Sequence, residues 1–216
     1  CPTIATVFEE WMEVRLDRGE IEKSTYSRYE RDFTRYFTKI KDCRIQSVTE
    51  LELEDFIKRT IQEQKLTRKA FSNMRTLLYG IFRYAKKKKL VNFSIKTMMD
   101  DVEFSKNEFQ KVSHEDNEQV FMLDEETKMV KYLEENQDLI NLGLLLLFKT
   151  GLRIGELTSL NKEDIHENLI HISKTETIYQ DKDGKTHYDV KNFPKTEAGV
   201  RDVIVPDNCK WIHLLR

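Results

Sequence analysis

Apolar residues recur at three- and four-residue steps through Leu66, Ala70, Met74, Leu77, Ile81 and Ala85, and Phe71, Leu78 and Phe82 widen the stripe. This is the spacing of a helix with one face turned to a core. At about 100° per residue, Arg68, Ser72, Arg75, Tyr79, Arg83 and Lys86 fall together on the opposite face. A shorter helix repeats the plan. Ser24 is its expected N-cap, Tyr26, Tyr29, Phe33, Tyr36 and Phe37 face inward, and Thr25, Arg28, Arg31 and Arg35 line the outer side. Aromatic residues at that spacing are far more often core than a base-stacking platform.

The pattern predicts helices over 6–17, 24–37, 50–64 behind a Thr49 cap, and 67–88, enough for a small all-helical domain over residues 1–99. The apolar period then fades while charge and Asn/Ser content rise, so residues 100–119 read as a connection. A second domain is expected over 120–216. Asp124 is the expected N-cap of its first helix, and Asp138 opens an apolar helix that ends before Gly151. A short helix over 153–160 follows, and the signal then changes from helix to strand. "LIHISKTETIY" alternates β-branched residues, "DKDG" supplies a turn, and "VRDVIVP" is a strand ended by Pro206. The expected class is mainly α with a small antiparallel β-sheet.

Composition narrows the function classes. The 216 residues are 39% hydrophobic, enough for packed cores, and 7 Gly with 3 Pro argue against a low-complexity chain. The longest apolar run, 139–148, is about half the ~20 residues of a membrane-spanning helix. Cys1, Cys43 and Cys209 form neither a metal-ligand spacing nor an even disulfide set, which favours a reducing, cytoplasmic setting. The net charge of -2 conceals a segregation. Residues 1–99 hold 21 Lys and Arg against 14 Asp and Glu, residues 100–140 hold 4 against 13, and residues 141–216 hold 11 of each. Between Glu63 and Asp100 stand ten basic residues and no acid. A single charged helix face is usually only solvated. Two basic ridges and an acid-free stretch of this length suit a phosphate backbone, whose counterions lysine and arginine release.

Chemistry enters with "TGLRIGELTSL", residues 150–160. Arg153 sits at a helix start in a frame of Leu152, Ile154, Leu157 and Leu160. Glu156, one turn on, can take a bidentate pair from the guanidinium and leave its other donors for a ligand oxygen such as phosphate. Spacing alone favours a merely structural pair, because such pairs are common on helices.

The stretch resembles the first arginine box of the tyrosine site-specific recombinases, the phage and conjugative-transposon integrase family. The shared pattern stands here as Gly151, Arg153, Glu156, Leu157 and Leu160. A second match, "PKTEAGVRDVIVP", is similar to that family's β-hairpin lysine motif and places the lysine at Lys195. The basic helices resemble its SAM-like core-binding domain. The resemblance implies a SAM-like four-helix DNA-binding domain followed by the N-terminal part of an α+β catalytic domain, with DNA held between them in a C-shaped clamp. It implies site-specific integration or excision of a phage or mobile element, through a 3′-phosphotyrosyl intermediate and with no cofactor or metal. Arg153 would hold non-bridging oxygens of the scissile phosphate, Glu156 would support it, and Lys195 would protonate the 5′-oxygen. The ridge residues would contact duplex attachment sites, and the full-length protein would act as a tetramer on DNA.

Two of that family's elements are missing. All eight tyrosines, the last being Tyr188, precede the expected place of the nucleophile, and the second arginine box is absent. "HLLR", His213 to Arg216, has that box's spacing but follows Lys195 too closely and reads as an amphipathic helix. The expectation is a fragment that is monomeric without DNA and inactive alone. A naturally short inactive DNA-binding relative and a helical protein-interaction module are the alternatives.

Overall fold

The computed structural model describes residues 1–105, 107–111, 120–181, 183–192, 199–206, 209 and 213–214. The chain is mainly helical with small antiparallel sheets, as the periodicity predicts, and it divides into two compact units, Cys1–Ser113 and His114–Arg216.

The first unit holds α1 (Ile4–Asp17), α2 (Lys23–Tyr36), α3 (Glu50–Glu63), α4 (Arg68–Lys87) and α5 (Ile95–Asp101). Side-chain caps fix four of the starts, that of α5 through Ser94, which accepts from Thr97 N. Thr3 and Thr67 accept from Thr6 N and Ala70 N. Thr49 and Glu52 form a reciprocal box, with Thr49 N donating to Glu52 Oε2 at 2.9 Å and Glu52 N to Thr49 Oγ1 at 3.2 Å. α2 departs from expectation. Glu22, in extended conformation, occupies its N-cap and takes the first helical bond from Tyr26 N, so Ser24 lies inside the first turn. The apolar stripe of α4 is buried as its spacing requires, from Phe71 through Ala85. Phe8 stacks on Phe33 at 4.0 Å, and Phe33 on Phe37 at 4.9 Å, joining α1 to α2 and the turn beyond it. α1 crosses α4 at Gly80, where an added Cβ would stand 2.1 Å from the Trp11 ring. That crossing needs the absent side chain.

The first unit also extends into the stretch expected to be a connection. Val102 and Phe109 are buried in its core, Phe104 packs against that core, and Gln110 N donates to Leu66 O at 3.0 Å. Residues 106 and 112–119 of that stretch lie outside the described residues.

The second unit holds α6 (Leu123–Glu135), α7 (Leu139–Thr150), α8 (Ile154–Thr158) and strands β1 (Ile165–His166), β2 (Leu169–Ile172), β3 (Thr175–Gln180), β4 (Thr186–Lys191) and β5 (Arg201–Ile204). α6 begins one residue after Met122, whose N–H donates to Glu125 Oε2, so Asp124 sits in the first turn and is not the N-cap. Asp138 caps α7 through Asn141 N as expected, and Gly151 ends it at φ +66°, the left-handed conformation glycine adopts without a Cβ clash. The strands form two sheets instead of one. β2 pairs antiparallel with β1 and β5, while β3 and β4 form a separate hairpin. The Asp181 carboxylate closes the hairpin turn by accepting from Asp183 N and Lys185 N, with Gly184 at φ +77°. Among the described residues, no helix is long and apolar enough to cross a membrane.

A buried carboxylate between two arginines, and two basic helix faces

Arg153 stands two residues after the left-handed turn at Gly151, and in extended conformation it is the N-cap of α8. Its carbonyl accepts from Glu156 N and Leu157 N, and its own N–H donates to Glu156 Oε2 at 2.9 Å. The side chain of Glu156 is therefore folded back over the helix start, where a carboxylate is favoured by unpaired backbone N–H groups and the helix dipole. Gly155 makes the position possible. A Cβ there would stand 2.5 Å from Glu176 O and 2.8 Å from Thr175 Oγ1, so α8 lies directly against the β3 backbone.

The Glu156 side chain is 3% exposed and carries four hydrogen bonds. Arg153 Nη1 and Arg201 Nη1 both reach Oε1 at 2.9 Å; Arg153 N and Arg201 Nη2 both reach Oε2 at 2.9 Å. These four donors fill the acceptor capacity of the carboxylate. The Arg201 bonds, then those from Arg153, hold its pKa down at about 2 against the opposing effect of burial. The bidentate partner of Glu156 is thus Arg201. Arg153, expected in that role, makes a single side-chain bond because its own backbone N–H occupies the second oxygen.

Strand register explains why Arg201 arrives there. Ile172 pairs with Arg201, and Ile170 with Val203. Ile170 and Ile172 are buried, so the two-residue alternation carries Arg201 on the core-facing side of β5. Arg201 lies within the quoted "VRDVIVP" strand, and its inward register was the available signal.

The outcome is two guanidiniums on one carboxylate, a local excess of one positive charge. The Arg153 side chain is 77% exposed and keeps its other donors outward, whereas Arg201 is 32% exposed and also donates to Gly199 O. The cluster is suited to an oxyanion presented at Arg153. Lys195 lies outside the described residues, as do Arg216 of the "HLLR" stretch and the rest of 193–198.

In the first unit, Arg28, Arg31 and Arg35 are exposed on α2, and Arg68, Ser72, Arg75, Arg83 and Lys86 are exposed on α4, with Tyr79 half-buried among them. Four of these arginines lie over aromatic rings: Arg28 on Tyr29, Arg35 on Tyr36, Arg68 on Phe109 and Arg83 on Tyr79, at 4.8 to 5.3 Å from the ring centroids. Such contacts restrict the guanidinium planes while leaving their edges free to donate. Asp32 is half-buried among Arg28, Arg31 and Arg35, and burial raises its carboxyl above the ordinary value despite those neighbours.

No protein-family model and no curated protein matches this sequence. Solved structures do match. The Tn1549 transposon integrase in complex with transposon right end DNA aligns at TM-score 0.61 and 21% identity, covering 95% of this chain and 62% of that one. A lambda integrase dimer bound to a COC′ core site aligns at 0.60 and 19%, covering 87% and 62%. A lambda integrase tetramer bound to a Holliday junction aligns at 0.60 and 18%, covering 87% and 50%. The chain thus spans 62% or less of the length of these integrases, and over that span it has their fold.

Proposed function

We propose that this chain is part of a tyrosine recombinase that integrates or excises a mobile element, and that Arg153 holds a DNA phosphate during strand exchange. The observation that carries the reading is the exposed Arg153 guanidinium anchored, together with Arg201, on the buried Glu156 carboxylate. The basic faces of α2 and α4 and the fold shared with DNA-bound integrases support it independently.

In this reading Arg28, Arg31, Arg35, Arg68, Ser72, Arg75, Tyr79, Arg83 and Lys86 contact duplex DNA, mostly at phosphates. A tyrosine hydroxyl releases its proton as its oxygen attacks the scissile phosphorus, the bond from phosphorus to the 5′-oxygen breaks and that oxygen takes up a proton, so the phosphodiester bond is exchanged for a phosphotyrosyl bond without hydrolysis. Charge building on the non-bridging oxygens is met by Arg153, whose position is fixed before reaction by Glu156. Lys195 supplies the proton. The attacking tyrosine belongs to the part of the integrase fold beyond the matched span. The protein works in the cytoplasm, on the nucleoid, as a tetramer on DNA.

The test is incubation of the full-length protein with a nicked attachment-site duplex, followed by denaturing electrophoresis. The full-length protein forms a protein-linked DNA band, residues 1–216 bind without forming one, and Arg153→Ala reduces the band about 10²- to 10³-fold. Binding without a band from the full-length protein would identify an inactive relative, and a band from residues 1–216 alone would place the nucleophile among its eight tyrosines.

A further inference from the structure

The end of α1 adds cations that neither basic ridge includes. Arg15 and Arg18 stand across a groove of about 810 Å³ from Arg75, Arg83 and Lys87 of α4. Trp11 and Gly80 line it where the two helices cross, and the Arg15 guanidinium lies 5.3 Å from the Trp11 ring centroid. From Arg75 to Lys87 the α4 wall runs ~18 Å at ~1.5 Å per residue, the length of several phosphates along one strand.

Among the described residues that line the groove, Glu20 is the one carboxylate. After the Arg18 C-cap, Gly19 turns the chain at φ +67°, and Glu20 N donates to Arg15 O at 2.9 Å. This turn folds Glu20 back onto the last turn of α1. One carboxylate oxygen lies 3.3 Å from Arg15 Nε, the other 3.8 Å from Arg18 Nη1. A phosphodiester presents its two non-bridging oxygens to two arginines in the same way. Among the described residues no ion pair engages Arg75, Arg83 or Lys87, so the α4 wall is uncompensated.

We propose that the α1–α4 groove is a further DNA phosphate subsite, and that Glu20 occupies its α1 wall in the free protein until a backbone phosphate displaces it. The inference rests on the DNA-binding reading above and extends it to α1. Arg75 and Arg83 belong both to the α4 ridge and to the groove, so a strand on the ridge enters the groove without a break. Glu20 lowers affinity by competing for Arg15 and Arg18, and lets only a ligand with closely spaced anions engage them.

The experiment is fluorescence anisotropy of a labelled mixed-sequence duplex with residues 1–216, across a salt series. Glu20→Gln tightens binding about 2- to 5-fold at low salt, the range of a surface ion pair. Arg15→Ala with Arg18→Ala weakens binding and flattens the salt slope by about 1 to 2. Adding Glu20→Gln to that pair changes nothing, because its only competitor role has gone. A gain of affinity cannot come from misfolding. Unchanged or weaker binding by Glu20→Gln overturns the inference, as does an equal gain with and without the two arginines. Arg28→Ala, Arg31→Ala and Arg35→Ala combined on α2 separate the two levels. If that variant loses affinity while the groove variants match the wild type, the ridge reading stands and the groove falls. A wild-type chain that binds no duplex overturns both.

Discussion

Arg201 and Glu156 lie 45 positions apart and meet through two hydrogen bonds of 2.9 Å each, one to either carboxylate oxygen. The pair ties β5 to the start of α8 and turns Glu156 into a fixed anchor from which Arg153 extends. A buried ion pair contributes little net stability when intact but is costly to break, since the surviving charge is left without a partner. Its value here is positional: the carboxylate sets where the exposed Arg153 guanidinium stands.

The depressed pKa of Glu156 makes that anchor sensitive to acid. Its folded value of about 2 lies below the ordinary 4.5, so its contribution is complete above pH ~4.5 and is lost as pH falls toward 2. The difference corresponds to roughly 3 kcal/mol. In calorimetric scans, the second unit of Glu156→Gln should be well below wild type at pH 7, and the gap should narrow steadily from pH 4.5 to 2.5. A gap that stays constant would mean that the carboxylate is not charged and paired as described.

Gly155→Ala should destabilise the second unit although alanine is the better helix former. The added methyl would meet the β3 backbone at Glu176 O, which cannot rotate away. We expect a net loss of about 1–3 kcal/mol, larger than the ~1 kcal/mol gained from helix propensity. The full-length protein should also lose cleavage rate, because α8 carries Arg153. An unchanged melting temperature would show that α8 is not seated against β3.

Much of this was legible in the chain, for identifiable reasons. α4 buries the stripe its spacing announces, Thr49 and Asp138 cap the helices they were expected to cap, and Thr67, expected as the first helical residue, is the N-cap of α4. α5 carries no periodic signal in the sequence, because only Ile95, Met98 and Met99 of its seven residues are buried. The sheet was expected as one piece because alternation runs through "LIHISKTETIY"; the break at Ser173 and Lys174 is tertiary, with Lys174 turned to Asp164 at 3.3 Å. Arg153 and Glu156 are three residues apart and read as a pair at once. Arg201 did not, because its approach depends on a register set only after the β3–β4 hairpin is excluded from the sheet.

Lys195 carries a prediction specific to proton transfer. In the full-length protein, Lys195→Ala should slow strand cleavage about 10²- to 10⁴-fold with little change in DNA affinity. Replacing the 5′-bridging oxygen by sulfur should restore most of that rate, since a thiolate leaves without a proton. Arg153→Ala should not be rescued, because its role is at the non-bridging oxygens. Equal rescue of both variants, or none for Lys195→Ala, would assign the proton to another group.

Binding of a DNA backbone by this chain is tested by how its affinity for a duplex depends on salt. Four to eight phosphate contacts, each contributing about -0.9, predict a slope of log K against log salt of roughly -4 to -7. Arg68→Ala, Arg75→Ala and Arg83→Ala combined should make that slope shallower by about 3, since each arginine neutralises one phosphate. An affinity independent of salt, or a triple variant indistinguishable from wild type, would contradict the account and point to a helical protein-interaction module with an incidental basic face.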